Sequence, residues 1–196
     1  MSDQWQDNSS RATAANALTA FRLIAAPIMI YLALAGQSTL FLWLLSASFL
    51  SDATDGTVAR LSGGPTPFGA KFDSIADAVA YTAITISVFL LWPDLVRQEL
   101  FAAIVVVASL VLPASAGLYK FGHLTSYHTR LVKIAVASVA ISLLLMLCGI
   151  ATLPFRVAAV LAAMAGVEQV MITLLLSEAK SDVRGISAAW RSRHAG

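Results

Sequence analysis

Six apolar stretches, each close to the length of a bilayer crossing, leave this chain few ways to fold. They cover approximately residues 18–35, 40–61, 72–92, 100–119, 131–150 and 154–177. A helix needs about 20 predominantly apolar residues to cross the hydrocarbon core of a membrane. The linkers are short, at 36–39, 62–67, 93–97, 120–130 and 151–153. Charged residues make up 12% of the chain, about half of what a soluble domain carries. Mean hydropathy is +0.78. The expectation is an all-α integral membrane bundle of about six transmembrane helices. A single domain over residues 1–196 is expected: a polar, interfacial N-terminal segment (1–17), a six-helix membrane body (18–177) and a basic tail (178–196).

The basic residues set the orientation, because cytoplasmic loops carry an excess of Lys and Arg. With the N-terminus inside, Arg11, Arg60, Lys71, Lys120, Arg130, Lys133, Lys180, Arg184, Arg191 and Arg193 all fall at the cytoplasmic face. Only Arg97 and Arg156 fall on the far side, and Arg22 is left within the first stretch. Both termini are therefore expected in the cytoplasm. The first dozen residues lack the basic n-region and cleavage site of a signal peptide. The tail at 180–193, with Trp190, suits an interfacial anchor at anionic lipid. A net charge of +2 gives no footing for nucleic acid. The single Cys148 lies in an apolar run and reads as a small buried hydrophobe.

Four of the chain's eleven carboxylates fall between Asp52 and Asp77. Carboxylates within spans are costly unless paired or metal-bound, so this concentration marks a site. Asp52, Asp55, Gly56, Ala59 and Arg60 fall at i, i+3, i+4, i+7 and i+8, one stripe of a helix. Asp73 and Asp77 fall at i and i+4 on a second helix. Two such faces across a short loop would surround one small volume with hard oxygen donors. That suits Mg²⁺ or Mn²⁺, with room for two ions. Gly56, Ala59 and Gly69 carry little bulk where a ligand or helix must come close. Arg60 offers a planar fork for phosphate.

This window resembles the signature of the CDP-alcohol phosphatidyltransferase family, D-x2-D-G-x2-A-R-x8-G-x3-D-x3-D. All eight fixed positions match, at Asp52, Asp55, Gly56, Ala59, Arg60, Gly69, Asp73 and Asp77. The resemblance implies that Asp52, Asp55, Asp73 and Asp77 ligate a pair of divalent metals, with Asp77 as catalytic general base. It implies CDP-diacylglycerol as donor, an alcohol as acceptor and CMP as leaving group. Gly56, Ala59, Arg60, Gly69 and Thr66 would lie at the nucleotide and its diphosphate. It further implies a homodimer in a bacterial-type inner or plasma membrane, with the active site at the cytoplasmic side.

The segment Asn16-Ala-Leu-Thr19-Ala-Phe-Arg22, followed by Pro27, resembles the opening of phosphatidylglycerophosphate synthases and related cardiolipin synthases. Asn16, Thr19 and Arg22 recur every three residues and share a face, and Asn16 and Thr19 join the donor-binding set. Asn16 also reads as a plain N-cap. Arg22 calls for an anionic partner, which a motif aspartate or a lipid phosphate would supply.

Lys120, His123, His128, Arg130 and Lys133 cluster between the fourth and fifth stretches. Lys120, Arg130 and Lys133 are candidates for binding an anionic acceptor such as glycerol 3-phosphate; an ordinary positive-inside loop is the other reading. Phosphatidylglycerophosphate synthases usually carry Gly-Lys-x-Lys-Thr here, whereas this chain reads His128-Thr-Arg-Leu-Val-Lys133, which leaves the acceptor open. Cardiolipin synthesis or another polar alcohol is the alternative, and a non-enzymatic lipid or cation transporter a distant one. Glu168 and Gln169, within the sixth stretch, would orient a basic residue such as Arg22 or pack between helices.

Overall fold

The computed structural model describes residues 19–61, 67–122 and 129–176, with side chains described at 19–51, 75–122 and 129–176. Every regular element among them is a helix. In chain order these are α1 (Thr19–Leu34), α2 (Ser38–Leu61), α3 (Pro67–Leu91), α4 (Pro93–Gln98), α5 (Leu100–Phe121), α6 (Arg130–Leu147) and α7 (Leu153–Leu175). The all-α expectation holds, and the six long helices follow the six apolar stretches. By length and composition α5, α6 and α7 can each cross a membrane. Among the residues with described side chains, the first three helices contribute the apolar stretches Thr19–Leu34, Ser38–Ser51 and Ile75–Leu91.

Two boundaries differ from expectation. α3 starts at Pro67, inside the expected linker, because a proline at the first helical position gives up an N–H that has no partner there anyway. The expected linker at 93–97 is α4. Pro93 opens it, Asp94 lies in its first turn and Arg97 in its last, matching the helix dipole at both ends. Arg97 also donates to Asp94 over 3.3 Å.

The chain divides into two compact units, Met1–Pro93 and Asp94–Gly196. In the first, α2 and α3 form an antiparallel hairpin. Phe41 near the start of α2 packs on Trp92 just past the end of α3, with ring centroids 5.8 Å apart, while residues 62–66 join the opposite ends. Small buried residues, Ala25, Ala26 and Ala33 in α1 and Ala76, Ala80 and Ala83 in α3, let backbones approach closely.

In the second unit α5 and α7 run parallel, with α6 antiparallel to α7. Glu99, preceding α5, meets Arg156 near the start of α7, and Lys120 near the end of α5 meets the end of α7. Midway, Gly166 faces the Ser109 backbone so closely that an added Cβ would lie 3.1 Å from both its Cα and its carbonyl oxygen. Pro113, four residues on in α5, has no N–H to give that carbonyl and displaces it from the helix ladder. α6 turns into α7 at Gly149, whose φ of 72° allows Ile150 N–H to reach Leu145 O at 2.9 Å. This is the 6→1 bond of a glycine-terminated helix.

Outward faces are as apolar as inward ones: Tyr31, Leu34, Trp43, Phe101, Val157 and Val160 are all more than half exposed. A helix that is hydrophobic all round belongs in a core or a membrane. Cys148 corrects an expectation. It is exposed rather than buried, because it is the C-cap of α6 and sits on the turn instead of the packed face.

Candidate active site

The signature occupies two consecutive helices. Asp52, Asp55, Gly56, Ala59 and Arg60 lie on the second half of α2, and Gly69, Asp73 and Asp77 on the first half of α3. These two halves are consecutive in the chain, and the Phe41–Trp92 contact lies at the other ends of the two helices. Asn16, Thr66, His123, His128 and the tail at 178–196 lie outside the described residues.

Asp77 is the signature residue whose side chain is described, and it is held. Arg22 Nη1 donates to Asp77 Oδ1 in an ion pair between α1 and α3. The Arg22 side chain is 4% exposed and that of Asp77 31%. The arginine left within the first stretch therefore has a motif aspartate as partner, one of the two partners the sequence suggested. Thr19, one turn before Arg22 on α1, is also buried. The start of α1 thus lies at the same end of this unit as the signature. Arg22 joins the site residues; its signal in the sequence was a full charge in an apolar run.

The donor set determines which ion fits. Four carboxylates offer only hard oxygens, the chemistry of Mg²⁺ or Mn²⁺ rather than of a soft metal. Among the described residues no group of three potential ligands is assembled; Asp77 alone of the four has a described side chain. By donor chemistry the residues present fit a divalent cation.

In the second unit Lys120 Nζ donates to the carbonyls of Thr173 and Leu174, at 2.9 and 2.8 Å. It therefore closes the end of α7, whose last carbonyls have no helical partner. Arg130 and Lys133 are exposed on the first turns of α6, three residues apart and so neighbours on one face. Thr129, 1% exposed, caps α6 by accepting from Val132 N–H at 3.2 Å. Its hydroxyl donates to Glu168 Oε2 at 2.7 Å. Among the described residues, the partner of Glu168 is thus a threonine. The capping motif was legible as Thr129 before an apolar helix; its link to Glu168 spans 39 positions and left no local trace.

The family profile of CDP-alcohol phosphatidyltransferase matches residues 12–175. The chain belongs to that family. Two relatives are CDP-diacylglycerol–serine O-phosphatidyltransferases of Helicobacter pylori, from strains J99 and 26695, with 39% and 38% identity over 66 residues. That segment is 34% of this chain and 28% of each relative, so the match spans little more than a quarter of their length. No solved structure matches. The family profile takes in α1 to α7 and all eight signature positions.

Proposed function

We infer that this chain transfers a phosphatidyl group from CDP-diacylglycerol to an alcohol and releases CMP. The observation that carries the reading is the complete signature on α2 and α3 within the family match. Asp52, Asp55, Asp73 and Asp77 would hold one or two Mg²⁺ or Mn²⁺ ions. When bound, such ions neutralise a diphosphate and stabilise charge growing on the leaving phosphate. Arg60 would fork onto a phosphate, while Gly56, Ala59 and Gly69 leave room for the nucleotide. Asn16, Thr19 and Thr66 complete the donor side. The acceptor oxygen attacks the phosphorus that carries diacylglycerol, and the bond from that phosphorus to CMP breaks. Asp77 takes the hydroxyl proton, with positioning contributing more than basicity.

The acceptor is read first as glycerol 3-phosphate, on the exposed pair Arg130 and Lys133, with Lys120 nearby in sequence. Serine is the second reading, favoured by the two Helicobacter relatives. The proposed setting is a six-span homodimer of single-domain protomers in a bacterial-type inner or plasma membrane. Both termini and the signature face the cytoplasm, where nucleotide substrates are made, and the acyl chains stay in the bilayer.

The test is CMP release from CDP-diacylglycerol in detergent, with Mg²⁺ or Mn²⁺, across glycerol 3-phosphate, serine, inositol phosphate, choline and phosphatidylglycerol. Release with glycerol 3-phosphate, abolished by chelation and by Asp77→Asn, is the expected result. Release with serine alone would replace the first acceptor by the second. A folded protein that releases CMP with none of them would overturn the activity.

A further inference from the structure

The Arg22–Asp77 pair has a consequence for how the aspartate site holds its charge. Arg22 is nearly fully buried in α1, and the cation it carries bears on the first half of α3. Taking a guanidinium out of water costs several kcal/mol, recovered only against a well-placed anion. Asp77 is such an anion, and it is also a member of a four-carboxylate signature. Four such carboxylates so close in sequence repel one another, and any cation among them lowers that cost.

We propose that Arg22 is the resident counter-ion of this site: it neutralises Asp77 when no divalent cation is bound, and a divalent cation can take over that role. This rests on the functional reading above, in which Asp77 belongs to the metal-binding set. Arg22 is then a positioning residue, acting through Asp77 rather than on substrate. It holds Oδ1 of the carboxylate from a different helix, so that α1 and α3 stay registered when no metal is bound. The charges agree. Four aspartates with Arg22 and Arg60 leave two negative charges, and two divalent ions turn that into two positive charges. Those match the two negative charges of a diphosphate diester.

A divalent ion at Asp77 compensates the loss of Arg22, but nothing of that kind compensates the loss of Asp77. Removing one partner of a buried pair is costly, while removing both together is far less so. The experiment is thermal unfolding of purified full-length protein in detergent, in EDTA and then with Mn²⁺, for wild type, Arg22→Gln, Asp77→Asn and the double variant. Mn²⁺ binding to the wild type is read separately by its paramagnetic resonance signal. In EDTA each single variant should melt about 6–12 °C below wild type, and the double variant well above the sum of the two losses. Mn²⁺ should raise Arg22→Gln by more than it raises wild type, and Asp77→Asn by less. Arg22→Lys, which keeps the charge, should stay near wild type in EDTA and serves if Arg22→Gln does not fold.

Additive losses in EDTA would show that the two residues do not act as a pair, and would overturn the proposal. So would an Arg22→Gln variant that Mn²⁺ does not rescue although wild type binds it. A wild type that binds no Mn²⁺ would overturn the metal reading itself, and the separate binding arm identifies that outcome.

Discussion

Arg156 grips Glu99 with two parallel hydrogen bonds, Nε to Oε2 and Nη2 to Oε1, each 2.8 Å long. The carboxylate is buried and the guanidinium half exposed, so the pair closes one end of the α5–α7 contact from its edge. Lys120 closes the other end on the carbonyls of Thr173 and Leu174. At 1.5 Å per residue the two closures are roughly 32 Å apart along α5 and roughly 26 Å along α7. That brackets the ~30 Å hydrocarbon core of a bilayer. The two closures are therefore spaced about as far apart as the two faces of such a core.

The Glu99 pair makes stability depend on acid. Its pKa lies below the ordinary glutamate value, chiefly because Arg156 donates hydrogen bonds to it. Burial pushes the other way, and the charge of Arg156 and a bond from Thr152 add to the lowering. The folded state thus binds fewer protons than the unfolded chain between the two pKa values, and stability rises with pH there. The contribution is complete above the unfolded value, near 4.3, and is lost as pH falls through the folded one. Melting curves from pH 7 downward should show wild type above Glu99→Gln at neutral pH and converging on it in acid. A constant gap across the range would mean that the pair does not control this slope.

Gly166 against Ser109 sets the spacing of α5 and α7. The atoms that a Cβ would meet include the Ser109 Cα and carbonyl oxygen, which cannot swing aside as a side-chain tip can. Gly166→Ala gains helix propensity of up to about 1 kcal/mol and must push a backbone away, at about 1–3 kcal/mol. A small net loss is expected, with Gly166→Leu unfolding far more readily. Thermal unfolding in detergent checks both; a Leu variant as stable as wild type would mean that the helices are not in close contact here.

Residues that act on their own surroundings were legible in the sequence, and residues that act across the fold mostly were not. The spans followed from apolar runs, and the signature from spacing along two helices. Arg22 announced a need for an anion, because a charge in lipid has few solutions. Glu99 and Arg156 gave no such signal, since each lies at the end of an apolar run where a charge is ordinary. α4 was missed because six residues with a proline at the front also describe a linker. Cys148 was misjudged because an apolar neighbourhood in sequence continues onto an exposed turn.

Thr129 performs two tasks with one oxygen, accepting from Val132 N–H and donating to Glu168. Thr129→Val keeps the shape and loses both. The loss of the cap and of the carboxylate's donor should together cost about 1–3 kcal/mol. Thr129→Ser should stay close to wild type, and Glu168→Gln should fall between, because an amide oxygen still accepts the bond. Equal stability of Thr129→Val and Thr129→Ser, measured by thermal unfolding, would show that the hydroxyl contributes nothing.

The three basic residues proposed for the acceptor should separate by function. Lys120 is bound to the end of α7, whereas Arg130 and Lys133 are exposed on one face of α6. Arg130→Gln or Lys133→Gln should raise KM for glycerol 3-phosphate about tenfold with kcat little changed. That is the size of one lost charge-assisted bond, about 1.4 kcal/mol, in an interaction made equally in ground and transition states. Lys120→Met should instead speed hydrogen exchange in the last turn of α7, since two carbonyls lose their donor, and should leave that KM closer to wild type. A Lys120→Met variant with unchanged exchange and a tenfold higher KM would reverse the assignment, making Lys120 the acceptor residue and its contact with α7 incidental.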